Sequence, residues 1–427
     1  LKNGLTLTNM SFLKSSYYNA IATGIGILTR LVVNKITALF IGPEGFAVYG
    51  QFKDFVALAI SFCQLGTENG VIKYVSEQKA NPNELKKIIS TAFKVHLICA
   101  LLLVSSVFIF KETLNRLLFE NSSYGNYIFI STVSIVFIAL QNLFLSILNG
   151  LQLLKKFVLI TIFTTIITAI ISVLGVYFYK LDGLILTIAL NHIIVFLMTL
   201  WIILKSNHIS ISIFKESFSL TYFKKLLHFS AMSLSGMLSL SLSLLFIRTH
   251  IMNTSGIENA GLWDAAWRIS AMYLLFLTSS FKFYILPTFS AIHNSKLKAE
   301  IFKIWRITFP VILLITGGIY LLKDFWIPLL FSEEFIAIGS ILIFQLLGDI
   351  IKIHSWTLGN ILMAKSQTKS FVAIQIAWAV LFSSLSYFLM NKYGLKGITM
   401  AYFFTCIVHF LMQNIAVKNI LWFPKTD

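Results

Sequence analysis

Acidic residues are scarce in this chain. Asp and Glu number 17 against 34 Lys and Arg in 427 residues, and charged residues make up only 12%. A water-soluble protein carries about twice that share of charge, so a soluble globular fold is excluded. The scarcity extends to acidic metal-binding pairs of the DxD kind, which are missing, and this argues against a membrane glycosyltransferase or polymerase. Cysteine is rarer still. Cys63, Cys99 and Cys406 all lie inside apolar runs, so neither disulfides nor a metal site is expected. Long polar stretches are also missing, and no loop has room for a soluble domain. No cleavable signal peptide is evident, and the first span is expected to be retained.

What is abundant is apolar sequence: 57% of residues are hydrophobic, including 39 Phe and 15 Tyr. The pattern is that of an all-α polytopic membrane protein. Hydropathy and loop signals predict twelve transmembrane helices, at 12–41, 45–76, 85–110, 126–150, 157–179, 183–204, 226–249, 260–290, 302–322, 335–364, 370–390 and 397–420. The net charge of +17 sits mostly in short loops, which points to membrane orientation and away from nucleic acid. Lys79, Lys86, Lys87, Lys155, Lys156, Lys224, Lys225 and Lys365 fall on one side of the expected topology. The opposite side has far fewer, among them Lys111, Lys180 and Lys323. The richer side is expected to be cytoplasmic, with both termini there.

The longest linker, 206–223, divides the chain into two six-helix lobes, 1–205 and 224–427. The halves resemble one another: EGFAVYGQFKDF matches the position of NAGLWDAAWRIS, and NPNELKKIIS that of NSKLKAEIFK. Parallel repeats of this kind are expected to flank a central cleft.

The charges inside the spans carry the functional signal. A charge facing lipid at mid-bilayer costs roughly 3 kcal/mol on insertion scales, so several together imply a wet polar interior. Gln345, Asp349, Lys352 and Trp356 lie on one helical face, with Asp349 expected near the midplane. Lys352 suits an anion, and Asp349 a proton or a cation; a simple i, i+3 ion pair pinning helices is the alternative. Asp264, Arg268 and Lys282 share another span, where snorkelling to the interface is the alternative for Lys282. Arg30 and Asn34 form a stripe with Thr23 and Thr37, and Lys35 lies off it. Gln51, Asp54, Ser61 and Glu68 occupy one broad face with Lys53 at its edge, and Glu68 could instead pair with Lys73. Arg248 lies close to the end of its span, where an interfacial role competes with a ligand role. Cations outnumber acids in this set, which favours an anionic ligand such as a diphosphate over a cationic drug. His96, His192 and His409 stand alone in apolar runs and are expected to be satisfied by a neighbour, while His354 adjoins the Asp349 stripe.

Four segments, GPEGFAVYGQFKDF, NGVIKYVSE, YILPTFSAI and FQLLGDIIKIHSWTLGNILMAKS, resemble in order the Wzx flippases of the polysaccharide transporter family, of the O-antigen or enterobacterial common antigen type. The resemblance implies the MOP flippase fold, two six-helix lobes around a cavity. It implies transport of an undecaprenyl-diphosphate-linked oligosaccharide from the cytoplasmic to the periplasmic leaflet of a bacterial inner membrane. No cofactor is implied; coupling to H+, Na+ or the membrane potential would run through Asp349, with Asp264, Asp54 and Glu68 as further candidates. A polysaccharide polymerase and a chain-length regulator are the implied protein partners, beside membrane lipids. Arg30, Lys53, Arg248, Arg268, Lys282 and Lys352 are the candidate substrate cations, and Asn34, Gln51, Gln345 and Trp356 the candidate lining. A lipid II flippase and a multidrug exporter of the same superfamily remain alternatives.

Overall fold

The computed structural model describes the backbone of residues 2–119, 124–205 and 216–423. The side chains of residues 1–22 and of 154, 204, 228, 229, 280, 282, 283 and 287 lie outside the described residues. The first ten residues of the expected linker, 206–215, also lie outside them.

Among the described residues the chain is helical, with no strand. The order is α1 (Lys2–Gln64), α2 (Glu68–Glu77), α3 (Pro82–Phe119), α4 (Gly125–Gly150), α5 (Leu154–Leu204), α6 (Leu220–Ser255), α7 (Ile257–Ala291), α8 (Asn294–Leu321), α9 (Lys323–Leu330), a 3-10 turn (Glu333–Ser340), α10 (Leu342–Ala364), α11 (Thr368–Tyr393) and α12 (Leu395–Ala416). A helix satisfies its backbone groups internally without water, which is what a single span requires. Eight of the described helices are long and apolar enough to cross a membrane, or ten if each of two bent pairs is one span.

Two of the long helices are each a pair joined at a break. α1 breaks at Gly42 (φ 60°, ψ −172°) and α5 at Lys180 (φ 50°, ψ −128°). Gly42 precedes Pro43, whose ring disfavours a helical conformation at the preceding residue, and glycine enters the left-handed region without a Cβ clash. The same backbone punctuation recurs along the chain. Gly42 and Gly256, Gln152 and Ser366, and Lys180 and Gly394 all have positive φ, and each pair has the same sequence separation. The close approaches recur with it. A Cβ on Gly183 would overlap the carbonyl oxygen of Gly175, and a Cβ on Gly397 that of Leu389, again at that separation. The internal repeat is therefore written more clearly in the turns than in the residue types.

A prediction follows from these hairpins. Gly397→Ala places a methyl against backbone that cannot yield, at a cost of roughly 1–3 kcal/mol or more. Thermal unfolding of the purified protein should show a clearly lower Tm for Gly397→Ala and Gly183→Ala. Gly236→Ala, with no heavy atom within 4 Å of the added Cβ, should leave Tm unchanged or raised. Equal Tm values for all three would refute the packing argument.

By contacts the chain forms two units. The first comprises Leu1–Ile36 and Phe55–Leu234, and its core gathers Val75, Ile88, Phe144, Ile147, Ile160 and Leu226. The second comprises Thr37–Asp54 and Ser235–Asp427. Its cores include Phe46 with Phe331, Phe335 and Leu342, and Trp263 with Phe382 and Tyr402. The segment Thr37–Asp54, in the first half of the sequence, thus packs with the second unit, and 224–234 with the first.

Two expected spans are corrected. The run 45–76 is not one helix. Leu65 and Gly66 both have positive φ, so α1 ends at Gln64 and Glu68 opens α2. Glu68 therefore does not share a helix face with Gln51 and Asp54. The run 335–364 is likewise divided, its 3-10 turn bent by 66° from α10. Counted from Leu342, Asp349 lies two turns into α10, not at the middle of a straight span.

Candidate functional site

The second unit holds two polar clusters. The first is centred on Arg248 of α6, a guanidinium with only 1% of its surface exposed. One terminal nitrogen lies 2.5 Å from Asp264 Oδ1 and 2.7 Å from Asp54 Oδ2. The other donates to Gln51 Oε1 at 3.1 Å. Gln51 in turn donates from Nε2 to Thr249 Oγ1 at 2.7 Å. The far oxygen of Asp264 accepts from Arg268 Nε at 2.7 Å, one turn along α7. Arg268 also lies over the ring of Phe46, 4.0 Å from its centroid. Two guanidinium groups and two carboxylates therefore balance one another in the unit interior. Gly50 makes the packing possible, because a Cβ there would lie 2.8 Å from Asp264 Oδ1. Lys53 stands at the edge of this cluster, exposed, 5.5 Å from the centroid of the Tyr49 ring.

The second cluster is built on α10. Asp349 is wholly buried and accepts hydrogen bonds from two tyrosines, Tyr402 of α12 at 2.7 Å and Tyr273 of α7. Gly348 lets Tyr402 come this close, since a Cβ there would lie 2.6 Å from its ring. Lys352, one turn further along, is half-buried and sits 4.3 Å from the centroid of the Trp378 ring. Gln345 is buried on the other side of Asp349, with Nε2 unpartnered. Trp356 continues the expected stripe but packs among Leu277, Ile312 and Ile353, an apolar cluster.

The sequence-derived residues thus separate into groups. Gln51, Asp54, Arg248, Asp264 and Arg268 come together, with Lys53 beside them; Gln345, Asp349 and Lys352 share the α10 face. Arg30 and Asn34 belong to the first unit, Arg30 exposed and Asn34 half-buried, as does the half-buried Glu68. Lys282 lies on α7, but its side chain is outside the described residues. Arg248, expected near a span end and at the substrate, has its surface covered instead, because Asp54 and Asp264 enclose its guanidinium. Tyr273, Tyr402 and Trp378 did not stand out in the sequence, since aromatic residues are common in membrane spans; only their helix-face spacing could have marked them.

The chain matches the model of the family described as "Polysaccharide biosynthesis protein" over residues 12–293. It is 27% identical over 406 residues to the "Lipid III flippase" of Escherichia coli (strain K12), covering 94% of this chain and 97% of that one. The Lipid III flippase of Shigella flexneri matches to the same extent. Among solved structures, an inward-facing multidrug resistance MATE family transporter of the MOP superfamily aligns with TM-score 0.76 at 15% identity over 95% of each chain. A MOP superfamily transporter from Pyrococcus furiosus Vc1 (DSM3638), whose binding pocket is described as of reverse polarity, aligns with TM-score 0.72 at 17% identity over 97% of each chain. These two likenesses establish the fold. The relatives are flippases and transporters rather than enzymes, in agreement with the family expected from the four motifs. A helical multi-pass membrane protein with the MOP superfamily fold, this chain belongs to the polysaccharide biosynthesis protein family.

Proposed function

We propose that this protein is a flippase for an undecaprenyl-diphosphate-linked oligosaccharide, moving it from the cytoplasmic to the periplasmic leaflet by alternating access. The observation that carries the reading is the match to Lipid III flippases over 94% of the chain. The excess of cations over acids among the intramembrane residues supports an anionic headgroup. Arg30, Lys53 and Lys352 are the residues we assign to the diphosphate, with Lys282 as a further candidate. Arg248 and Arg268, bound to Asp264, are assigned to holding Thr37–Asp54 against α6 and α7. Asn34 is assigned to the polar lining of the sugar path; Gln51 and Gln345, expected there, are at most 1% exposed and are assigned to bracing the two polar clusters.

The reading includes twelve spans in two six-helix lobes. Its support is that the breaks at Gly42 and Lys180 divide two of the long helices, adding two spans to the ten. The lysine-rich loops support cytoplasmic termini in a bacterial inner membrane. A polysaccharide polymerase and chain-length regulator would receive the product on the outer face.

Reconstituted into liposomes, the protein should move diphosphate-linked oligosaccharide between leaflets and leave a lipophilic cationic dye untouched. Movement of the dye without movement of the glycan would replace this reading with drug export.

A further inference from the structure

In the first unit, α3 and the part of α1 that belongs to that unit leave a groove with a cavity of about 390 Å3, inside the roughly 300–1,000 Å3 range of ligand pockets. Phe55, Ala59 and Phe62 line it from α1, and Leu103, Ser106 and Phe110 from α3, as far as Thr113 and Leu114. From Leu103 to Leu114 it runs roughly 16 Å along α3, at 1.5 Å per residue. The Ser106 hydroxyl donates back to the Leu102 carbonyl at 2.8 Å, so its proton is spent on its own helix. All of this lining lies in helices long and apolar enough to span a membrane, so what fills the groove is an apolar chain.

The fold does not require this groove. At the separation that relates Gly42 to Gly256, Ala59 corresponds to Tyr273 and Ser106 to Tyr320. Two rings thus stand in the second unit where the first has a methyl and a hydroxymethyl group. Charge follows the same division. Lys111 and Arg116 lie on either side of Leu114 along α3, each within one turn of it, and their counterparts are Phe325 and Leu330. Arg116 is exposed, and Lys111 is half-buried, 3.9 Å from Glu112. Two cations against that one carboxylate leave this stretch of α3 positive. Basic side chains near a span end commonly reach for the interface, but the second unit ends the same span with Phe325 and Leu330. Small groove residues and flanking cations therefore occur together in one unit, and neither is present at the corresponding positions of the other.

We propose that this groove is a second site for the lipid-linked glycan, seating the polyprenyl chain next to its diphosphate, with the diphosphate between Lys111 and Arg116. An apolar trough that ends in cations selects an apolar chain with an anionic head. The methyl-branched, unsaturated polyprenyl chain presents flat faces to the rings of Phe55, Phe62 and Phe110, and a straight acyl chain does not. The inference rests on the flippase reading and adds to it a site for the tail, formed by residues other than Arg30, Lys53 and Lys352. On the orientation proposed above, α3 ends on the periplasmic side. The groove then holds the product in the outer leaflet before release.

The test is photolabelling of the purified full chain in phosphatidylcholine nanodiscs with a benzophenone-tagged polyprenyl diphosphate that carries no sugar, the labelled peptides being mapped by mass spectrometry. Label should concentrate on 101–117 and be displaced by untagged polyprenyl diphosphate, but not by phosphatidylglycerol or inorganic diphosphate at the same concentration. Ser106→Tyr, which installs the side chain of its second-unit counterpart, should raise the concentration for half-maximal labelling about 10-fold or more. Lys111→Gln/Arg116→Gln, which leaves the groove walls intact, should raise it by a similar factor. Ile170→Phe, which enlarges an exposed side chain of α5 in the same unit, should leave it unchanged. Label spread evenly over the exposed helices, equal displacement by phosphatidylglycerol, or indifference to both Ser106→Tyr and the double variant would each overturn the proposal. Labelling needs neither glycan nor transport. A protein labelled in this way that moves no glycan would sink the flippase reading and leave the lipid site standing, whereas transport without groove labelling would do the reverse.

Discussion

Arg248→Met is expected to lower the stability of the protein by about 3–5 kcal/mol, the cost of breaking a buried ion pair by removing one partner. The substitution removes the guanidinium that Asp54 and Asp264 share and leaves Arg268, paired with Asp264, as the remaining guanidinium of the cluster. Thermal unfolding in detergent should show a loss on the order of 10 °C. The pairing scheme dictates the rescue. Adding Asp54→Asn to Arg248→Met leaves one cation and one acid, Arg268 with Asp264, and should recover most of the loss. Arg248→Lys should fall between, because one ammonium cannot reproduce the fork that reaches Asp54, Asp264 and Gln51 together. If Arg248→Met melts within about 1 °C of the parent, the cluster does not hold the second unit together.

That cluster also marks how far the sequence could be read. Charges in apolar runs are visible without a structure, because solvation makes them expensive and hence noticeable. Asp54, Arg248, Asp264 and Arg268 stand out on that ground, and Gln51 by sharing a helix face with Asp54. Their pairing does not, since Asp54 and Arg248 are joined only by the packing of Thr37–Asp54 into the second unit. A span-end position suggested an interfacial Arg248, whereas the tertiary fold covers it. Helix limits failed where the backbone left the helix without a strong signal. Leu65 adopts positive φ although nothing in its side chain favours it, and so Glu68 was placed on the wrong helix. Lys180 is a similar case, yet the hairpin there was expected from its position between two apolar runs. His409, expected to be satisfied by a neighbour, meets Ser355 and Gln413.

Neutralising the exposed cations should separate binding from stability. Lys53→Gln and Arg30→Gln alter exposed side chains, and surface changes of this kind usually shift stability by less than about 0.5 kcal/mol. Lys352→Gln also gives up its place over Trp378, worth roughly 0.5–2 kcal/mol. Each charge-assisted hydrogen bond to a diphosphate oxygen is worth about 1.5–3 kcal/mol, which is roughly 10- to 100-fold in apparent affinity. The Lys53→Gln/Lys352→Gln double variant should therefore need about 100-fold or more lipid-linked glycan for half-maximal transport, with Tm close to that of Lys352→Gln alone. Lys53→Arg, which keeps the charge, should transport normally. Raising the salt should weaken the wild type, because screening acts on the same contacts, and should weaken the double variant much less. A monophosphate-linked glycan offers fewer anionic oxygens, so its lower apparent affinity in the wild type should largely vanish in the double variant. If the double variant transports diphosphate-linked glycan with unchanged apparent affinity and unchanged salt dependence, the anion is held elsewhere and the cation assignment falls.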